Sequence, residues 1–217
     1  MESNVFYVFS SEGYLTTTAV TPDYFENAVK NNLHGPDSGR QIHHQLLYKE
    51  YIHGDNTFKY PSYIDFPVVY RQFDGKRLRD MLDMRYDGNC FLISDRMKRI
   101  FKENEFTGWE TYPVLLFDKK GHEIKGYSGF TVIGRGGQRK YLLPKQEVDK
   151  MVKEEKAKYI EWDISQWDGT DIFRIDPNYV MITDRVKKII TQNKIEAPSF
   201  WSTEEHFQII GSPQIEQ

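Results

Sequence analysis

The chain has 217 residues, a formal net charge of −3 and a pI near 6.1, with 39% hydrophobic and 15% aromatic residues. That length fits one large domain or two small ones, and the charge balance excludes a dominant basic footprint for duplex DNA. Cys90 is the only cysteine, which excludes an intrachain disulfide and suits a reducing compartment.

Fourteen Tyr and fourteen Phe point to an aromatic-rich sheet, because Tyr buries its ring while its hydroxyl finds a partner at an edge. The start, Met1 to Tyr14, has no basic stretch followed by an apolar one, and no apolar run approaches the roughly 20 residues of a spanning helix. The expected location is the cytoplasm, with no membrane partner.

Along the chain, Thr21-Pro22-Asp23 reads as a helix start, with Phe25, Ala28 and Val29 on one face. Residues 34–39 read as a loop. Residues 58–74 hold apolar patches broken by Pro61 and Pro67, the pattern of edge strands or extended segments. Leu78, Met81 and Leu82 have helical spacing and predict a short helix ending near Asp87-Gly88.

The most informative feature is internal. Residues 91–106 align without a gap on residues 180–195, 89 positions later, with identities at Ile93/Ile182, Asp95/Asp184, Arg96/Arg185, Lys98/Lys187, Ile100/Ile189 and Asn104/Asn193. Each copy predicts a short strand ending at a Ser or Thr that caps a helix, with an acidic residue in its positive first turn. Met97, Ile100 and Phe101 repeat as Val186, Ile189 and Ile190, one buried stripe. Asn104 and Asn193 are expected to stop the helices in a left-handed conformation. Asp95-Arg96 and Asp184-Arg185 recur in both copies, which favours a structural role over a single active site.

Between and after the copies, residues 111–117 predict a strand turning at Asp118-Lys119-Lys120-Gly121. Residues 127–133 and 140–143 predict a hairpin around a Gly-rich turn. A charged helix is expected over 145–158, extended segments over 159–164 and 171–175, and a loose tail over 211–217. The resulting fold class is α+β: a mixed or antiparallel sheet with several helices and a duplicated strand–helix unit. The expected organisation is an N-terminal region, 1–84, and a region carrying the duplication, 85–217, within one structural domain.

Four candidate chemistries compete with simpler readings. Gly134-Arg135-Gly136-Gly137-Gln138-Arg139-Lys140 could cradle a phosphate on backbone amides, but it lacks the Lys-hydroxyl ending of a nucleotide loop, so a hairpin turn is the simpler reading. His43, His44 and His53 lack the spacing of metal ligands. Cys90, with His43, His44 and His122 far away in sequence, reads as an inert packed thiol. Asp163, Trp167, Asp168 and Asp171 form the densest acidic and aromatic combination, which suits either an interface or a packed turn. No catalytic residue, cofactor or metal is expected.

Phe91-Leu92-Ile93-Ser94-Asp95-Arg96 with Phe106-Thr107-Gly108-Trp109, and Trp167-Asp168-Gly169-Thr170-Asp171-Ile172-Phe173-Arg174 leading to Val180-Met181-Ile182-Thr183-Asp184-Arg185-Val186, resemble a bacterial immunity-protein family. That family accompanies polymorphic toxins and was long carried as a domain of unknown function. The resemblance covers roughly residues 85–205, and the second copy departs where Ala197-Pro198 replaces Gly108-Trp109. It implies a non-enzymatic protein that binds and neutralises a cognate toxin, with no catalytic residues to carry over; the charge balance adds the expectation of no nucleic-acid partner. Asp163, Trp167, Asp168 and Asp171 are then the expected contact residues. A small-ligand or phosphate-binding enzyme using the Gly134–Lys140 loop, and an interaction module unrelated to toxins, are the alternatives.

Overall fold

The computed structural model describes residues 5–11, 18–23, 66–84, 91–137, 139–142, 158–175 and 179–213. Sixteen strands lie within these residues and form three sheets. The architecture is broadly α+β.

The largest sheet has eight strands. Its members are β2 (Ala19–Pro22), β3 (Val68–Asp74), β4 (Met81–Met84), β5 (Phe91–Ser94), β6 (Trp109–Tyr112), β7 (Val114–Phe117), β8 (Glu123–Ile124) and β9 (Tyr127–Val132). Their spatial order is β6-β9-β5-β4-β2-β3-β7-β8. The five-stranded sheet runs β10-β13-β14-β1-β15, with β1 at Phe6–Ser11, β10 at Gly134–Arg135, β13 at Ile172–Arg174, β14 at Val180–Thr183 and β15 at Pro198–Ser202. The three-stranded sheet orders β11 (Arg139–Tyr141), β12 (Ile160–Asp163) and β16 (Phe207–Ile210).

Two nine-residue helices, α1 (Asp95–Glu103) and α2 (Asp184–Gln192), follow β5 and β14 directly. A four-residue helix, α3 (Thr203–His206), follows β15. Ser94 Oγ accepts from the Met97 amide at 3.1 Å, the expected cap. Thr183 makes no such bond, and its hydroxyl donates to Asp171 instead at 3.3 Å. Met97, Ile100, Phe101, Val186 and Ile190 are buried as expected, whereas Ile189 is only half-buried. Asn104 and Asn193 are not left-handed; their side-chain amides donate back to Ile100 and Ile189 carbonyls, both at 2.9 Å. The left-handed residues are the next ones, Glu105 and Lys194, both with φ of 51°.

The core has three parts. A central cluster takes Met97, Ile100 and Phe101 from α1, Val186 and Ile190 from α2, and sheet residues such as Phe91 and Ile182. A second packs Tyr70, Tyr112, Leu82 and Leu92 on the other face of the eight-stranded sheet. A third, rich in aromatic rings, joins Phe6, Trp162, Trp167, Phe173 and Phe207. Burying this apolar and aromatic surface supplies the main favourable folding term.

Several expected elements come out differently. Met81 and Leu82 lie on a strand and not on a helix. Met81 enters the central cluster and Leu82 the opposite one, while Leu78 is exposed. Only a two-residue alternation can serve two cores from adjacent positions. Thr21 and Pro22 pair with Arg71 and Tyr70 in β2, so the chain is still extended where a helix start was expected. β3 lies between β2 and β7 and is no edge. The strand expected over 111–117 breaks at Pro113: β6 pairs with β9, while β7 pairs in parallel with β3, nearer the other end of the sheet. In place of the hairpin expected from residues 127–133 and 140–143, the described strands pair elsewhere: β9 with β5 and β6, β10 with β13, and β11 with β12. Of the helix expected over 145–158 only Lys158 is described, and it is not helical; the loop over 34–39 and the patches at 58–65 lie outside the described residues.

The pairings β4–β5, β1–β14 and β1–β15 cross the boundary expected between residues 84 and 85. No described helix is long and apolar enough to cross a membrane.

Candidate functional site

The acidic and aromatic segment sits where β12 runs through a short 3-10 turn (Ile164–Gln166) towards β13. Its two tryptophans belong to the core. Trp162 is fully buried and donates its indole N–H to the Gly136 carbonyl at 2.6 Å. Trp167 is 7% exposed and donates to the Thr170 carbonyl at 3.0 Å. Phe6 meets both rings edge-on, at centroid distances of 5.1 and 5.0 Å. Trp167, expected as a contact residue, is thus held among core rings with little of its surface exposed.

The carboxylates each turn to a different neighbour. Asp163 accepts the Ser165 amide at 3.0 Å and caps the 3-10 turn. Hydrogen bonds from the Ser165 side chain and then its amide hold the Asp163 carboxyl below the ordinary carboxylate range. Asp168 accepts the Arg135 amide at 2.8 Å and the Thr170 hydroxyl at 2.7 Å. Asp171 accepts the Thr107 amide at 3.1 Å and Arg185 at 3.0 Å. Carboxylates directed at backbone amides are framework groups, and the loop they fix is a turn.

The Gly134–Lys140 segment is likewise built into the sheet. The amides of Gly134, Arg135 and Gly136 donate to the Gly108 carbonyl, the Asp168 carboxylate and the Arg174 carbonyl at 3.0, 2.8 and 2.7 Å. Those are the groups a phosphate cradle would need. A methyl at Gly134 would fall 2.2 Å from the Ile172 carbonyl, so this glycine permits a close approach to β13. Arg139 lies between the Tyr141 and Tyr179 rings, 4.1 and 4.7 Å from their centroids.

His43, His44, His53 and Cys90 lie outside the described residues. His122 is exposed and 3.1 Å from Asp118. Asp118 also accepts the His122 and Lys120 amides at 2.8 Å, and these bonds, the His122 amide foremost, hold its carboxyl below the usual range. Among the described residues, no group of three or more His, Cys, Asp or Glu could hold a metal ion.

The recurring Asp-Arg pairs resolve into two clasps. Arg96 bonds Asp80 at 2.5 Å and also the carbonyl of Asn193, beyond the end of α2. Arg185 bonds Asp171 and the carbonyl of Asn104, beyond the end of α1. Asp80 further accepts Ser94 Oγ at 2.7 Å and the Glu196 amide at 3.0 Å. Asp171 accepts Thr183 Oγ1 and the Thr107 amide in the same roles. The helices therefore lie antiparallel, each with its last carbonyls satisfied by an arginine of the other. Asp80 was missed in the sequence because it falls in the segment with helical spacing.

One feature stands apart from this framework. Trp201, on β15, is 55% exposed, the highest value among the exposed large apolar side chains of the described residues. Within the described strands β15 ends its sheet, pairing only with β1, and its sequence Pro-Ser-Phe-Trp-Ser has no charge. The sequence signal was available: an uncharged aromatic stretch after the second repeat. The chain matches no protein-family model, and no curated protein matches it in sequence.

Proposed function

We propose that this chain is a non-enzymatic immunity protein that binds and neutralises a cognate bacterial toxin in the cytoplasm, and that its contact surface is the β15 edge around Trp201. The exposure of Trp201 on an uncharged edge strand carries this reading. An edge leaves backbone donors and acceptors for a partner strand, and proteins that do not use an edge usually blunt it with charge. A tryptophan is a frequent anchor of binding energy. The resemblance to the immunity family supports the toxin as partner, and its quoted residues Asp171, Thr183 and Arg185 build one of the two clasps. The acidic segment then acts as framework, with exposed Asp168 at most at the rim. Co-expression with a toxin encoded beside this chain tests the reading. Cells should survive and the two proteins should co-purify; survival without a complex, or no protection, overturns it.

We also infer that residues 91–106 and 180–195 are copies of one unit. The same 89-residue shift relates Ser94 to Thr183, Arg96 to Arg185, Glu105 to Lys194 and Gly108 to Ala197. Gly108 and Ala197 share a left-handed backbone, with φ of 84° and 80°. Ala is an uncommon residue there, so its conformation favours inheritance of a turn over local sequence preference.

A further inference from the structure

The geometry points to an exchange of first strands between two halves of this chain, one from β1 to β8 and one from β9 to β16, which makes it the covalent counterpart of a strand-swapped dimer whose halves open only together.

In the first half, β5 lies between β4 and β9, and β6 lies beyond β9. In the second, β14 lies between β13 and β1, and β15 lies beyond β1. The registers agree residue by residue. Ile93 faces Ser128, Leu92 faces Gly129 and Trp109 faces Val132. Their counterparts Ile182, Met181 and Pro198 face Tyr7, Val8 and Ser11. One 121-residue shift therefore maps β9 onto β1. It also maps Gly126, whose carbonyl accepts the Asp95 amide at 2.8 Å, onto Val5, whose carbonyl accepts the Asp184 amide at 3.1 Å. Lys98 reaches Ser128 on β9, and its counterpart Lys187 sits over Tyr7 on β1.

Chain order makes this an exchange. β1 precedes β2, which runs parallel to β4; β9 precedes β10, which runs parallel to β13. Each half thus begins with the strand that completes the other half's sheet. Opening the second half must release β1 from β14 and β15, and with it the Arg185–Asn104 and Arg96–Asn193 bonds. Two lobes that each kept their own strand could open separately, as cooperative units in proteins commonly do. The exchange rests on pairing registers and stands whether or not the chain neutralises a toxin.

The test is native-state hydrogen exchange on the full chain over a urea series. The slowest amides of β5 and β14 should converge on one opening reaction; two separate isotherms, one per half, would overturn the inference. Arg96→Ala supplies a second reading. Although Arg96 is on α1, the variant should raise exchange in the last turn of α2 by about tenfold, the loss of one bond to a charged donor. An effect confined to α1 counts against the coupling. A third reading needs no destabilising change: a protease site inserted at Lys120-Gly121, in the turn before β8 where Gly121 has open space, is cut after folding and leaves the two-residue β8 on the second fragment. The cut chain should elute as the intact one and separate only in denaturant. Separation under native conditions overturns the exchange.

Discussion

Arg185 donates to the backbone carbonyl of Asn104, 81 residues earlier in the chain and just beyond the end of the other helix. Its guanidinium also lies 5.0 Å from the Phe106 ring centroid and 3.0 Å from Asp171. Arg96 repeats the arrangement with Asn193 and Asp80. The carboxylates are the less exposed members of these clasps, at 14% and 10% side-chain exposure, against 53% and 44% for the arginines.

Removing a carboxylate should therefore cost more than removing an arginine. Arg185→Ala loses a half-exposed charged donor and is expected to destabilise by about 1–2 kcal/mol. Asp171→Ala strands the Thr107 amide, the Thr183 hydroxyl and Arg185 together. Its expected cost is about 2–3 kcal/mol, that of leaving several hydrogen-bonding groups without their shared acceptor. Urea unfolding of the two variants checks the order; equal losses would show that the carboxylate has no larger role than its partner.

Gly108, which follows α1, should be intolerant. At Gly108 the backbone has φ of 84°, and an added Cβ would stand 1.9 Å from the Ile172 carbonyl and 2.8 Å from Thr170. Gly108→Ala combines left-handed strain with a clash against backbone, so a loss of roughly 2–4 kcal/mol is expected. Gly121→Ala has only the backbone cost, since nothing lies within 4 Å of its Cβ. That variant should lose about 1 kcal/mol. Thermal unfolding of both, side by side, separates strain from crowding.

What could be read in the sequence was local. The two similar segments are visible within sixteen residues each, and α1 and α2 form there; the cap holds at Ser94 but not at Thr183, and the buried stripe is complete in α1 but leaves Ile189 half-buried in α2. What was missed is long-range. β4 carries Met81 and Leu82 into two different cores, and a helical spacing at Leu78, Met81 and Leu82 cannot be told from that by pattern alone. The turn at Asp168 is legible from Asp168-Gly169, but its bond to the Arg135 amide is not, because that partner is 33 positions away. Trp201 stands in an uncharged aromatic stretch that is visible in the sequence, but its exposure depends on where the sheet ends, and neighbouring residues do not encode that.

Stability should fall in strong alkali. Burial, and then the negative charges of Asp80 and Glu196, push the Tyr127 hydroxyl up to about 12. Its unfolded value is 10.0. The folded state thus holds this proton more tightly. The contribution is fully present below pH 10 and is lost as pH rises from about 10 to about 12. Burial pushes Tyr179 upward too, so the two residues act in the same window. Urea midpoints measured between pH 9 and 12 should drop over that window. In Tyr127→Phe the drop should shrink, although the variant starts lower through loss of the 2.8 Å bond to the Arg79 carbonyl. An unchanged slope in the variant would assign the effect elsewhere.

Trp201 separates folding from binding most sharply. On β15 the side chains of Pro198 and Phe200 turn inward or lie half-buried, and Phe200 packs 6.0 Å from Phe9. Trp201 pairs in register with Val8 and is 55% exposed. An exposed side chain contributes little to folding, so Trp201→Ala should change stability by no more than about 0.5 kcal/mol. If this edge meets the toxin, the same substitution removes an aromatic anchor and should weaken the complex by about thirtyfold, the effect of roughly 2 kcal/mol at an interface hot spot. Ser199→Lys attacks the same surface by a different route, placing on the edge the charge that natural edges use to refuse a partner strand. Trp167→Phe serves as the contrast: it changes a core ring and should affect stability without a specific effect on binding. Calorimetric titration of the toxin into each folded variant decides. Loss of affinity in Trp201→Ala and Ser199→Lys, with Trp167→Phe binding as the parent does, places the partner on β15; full affinity in both edge variants removes it from there.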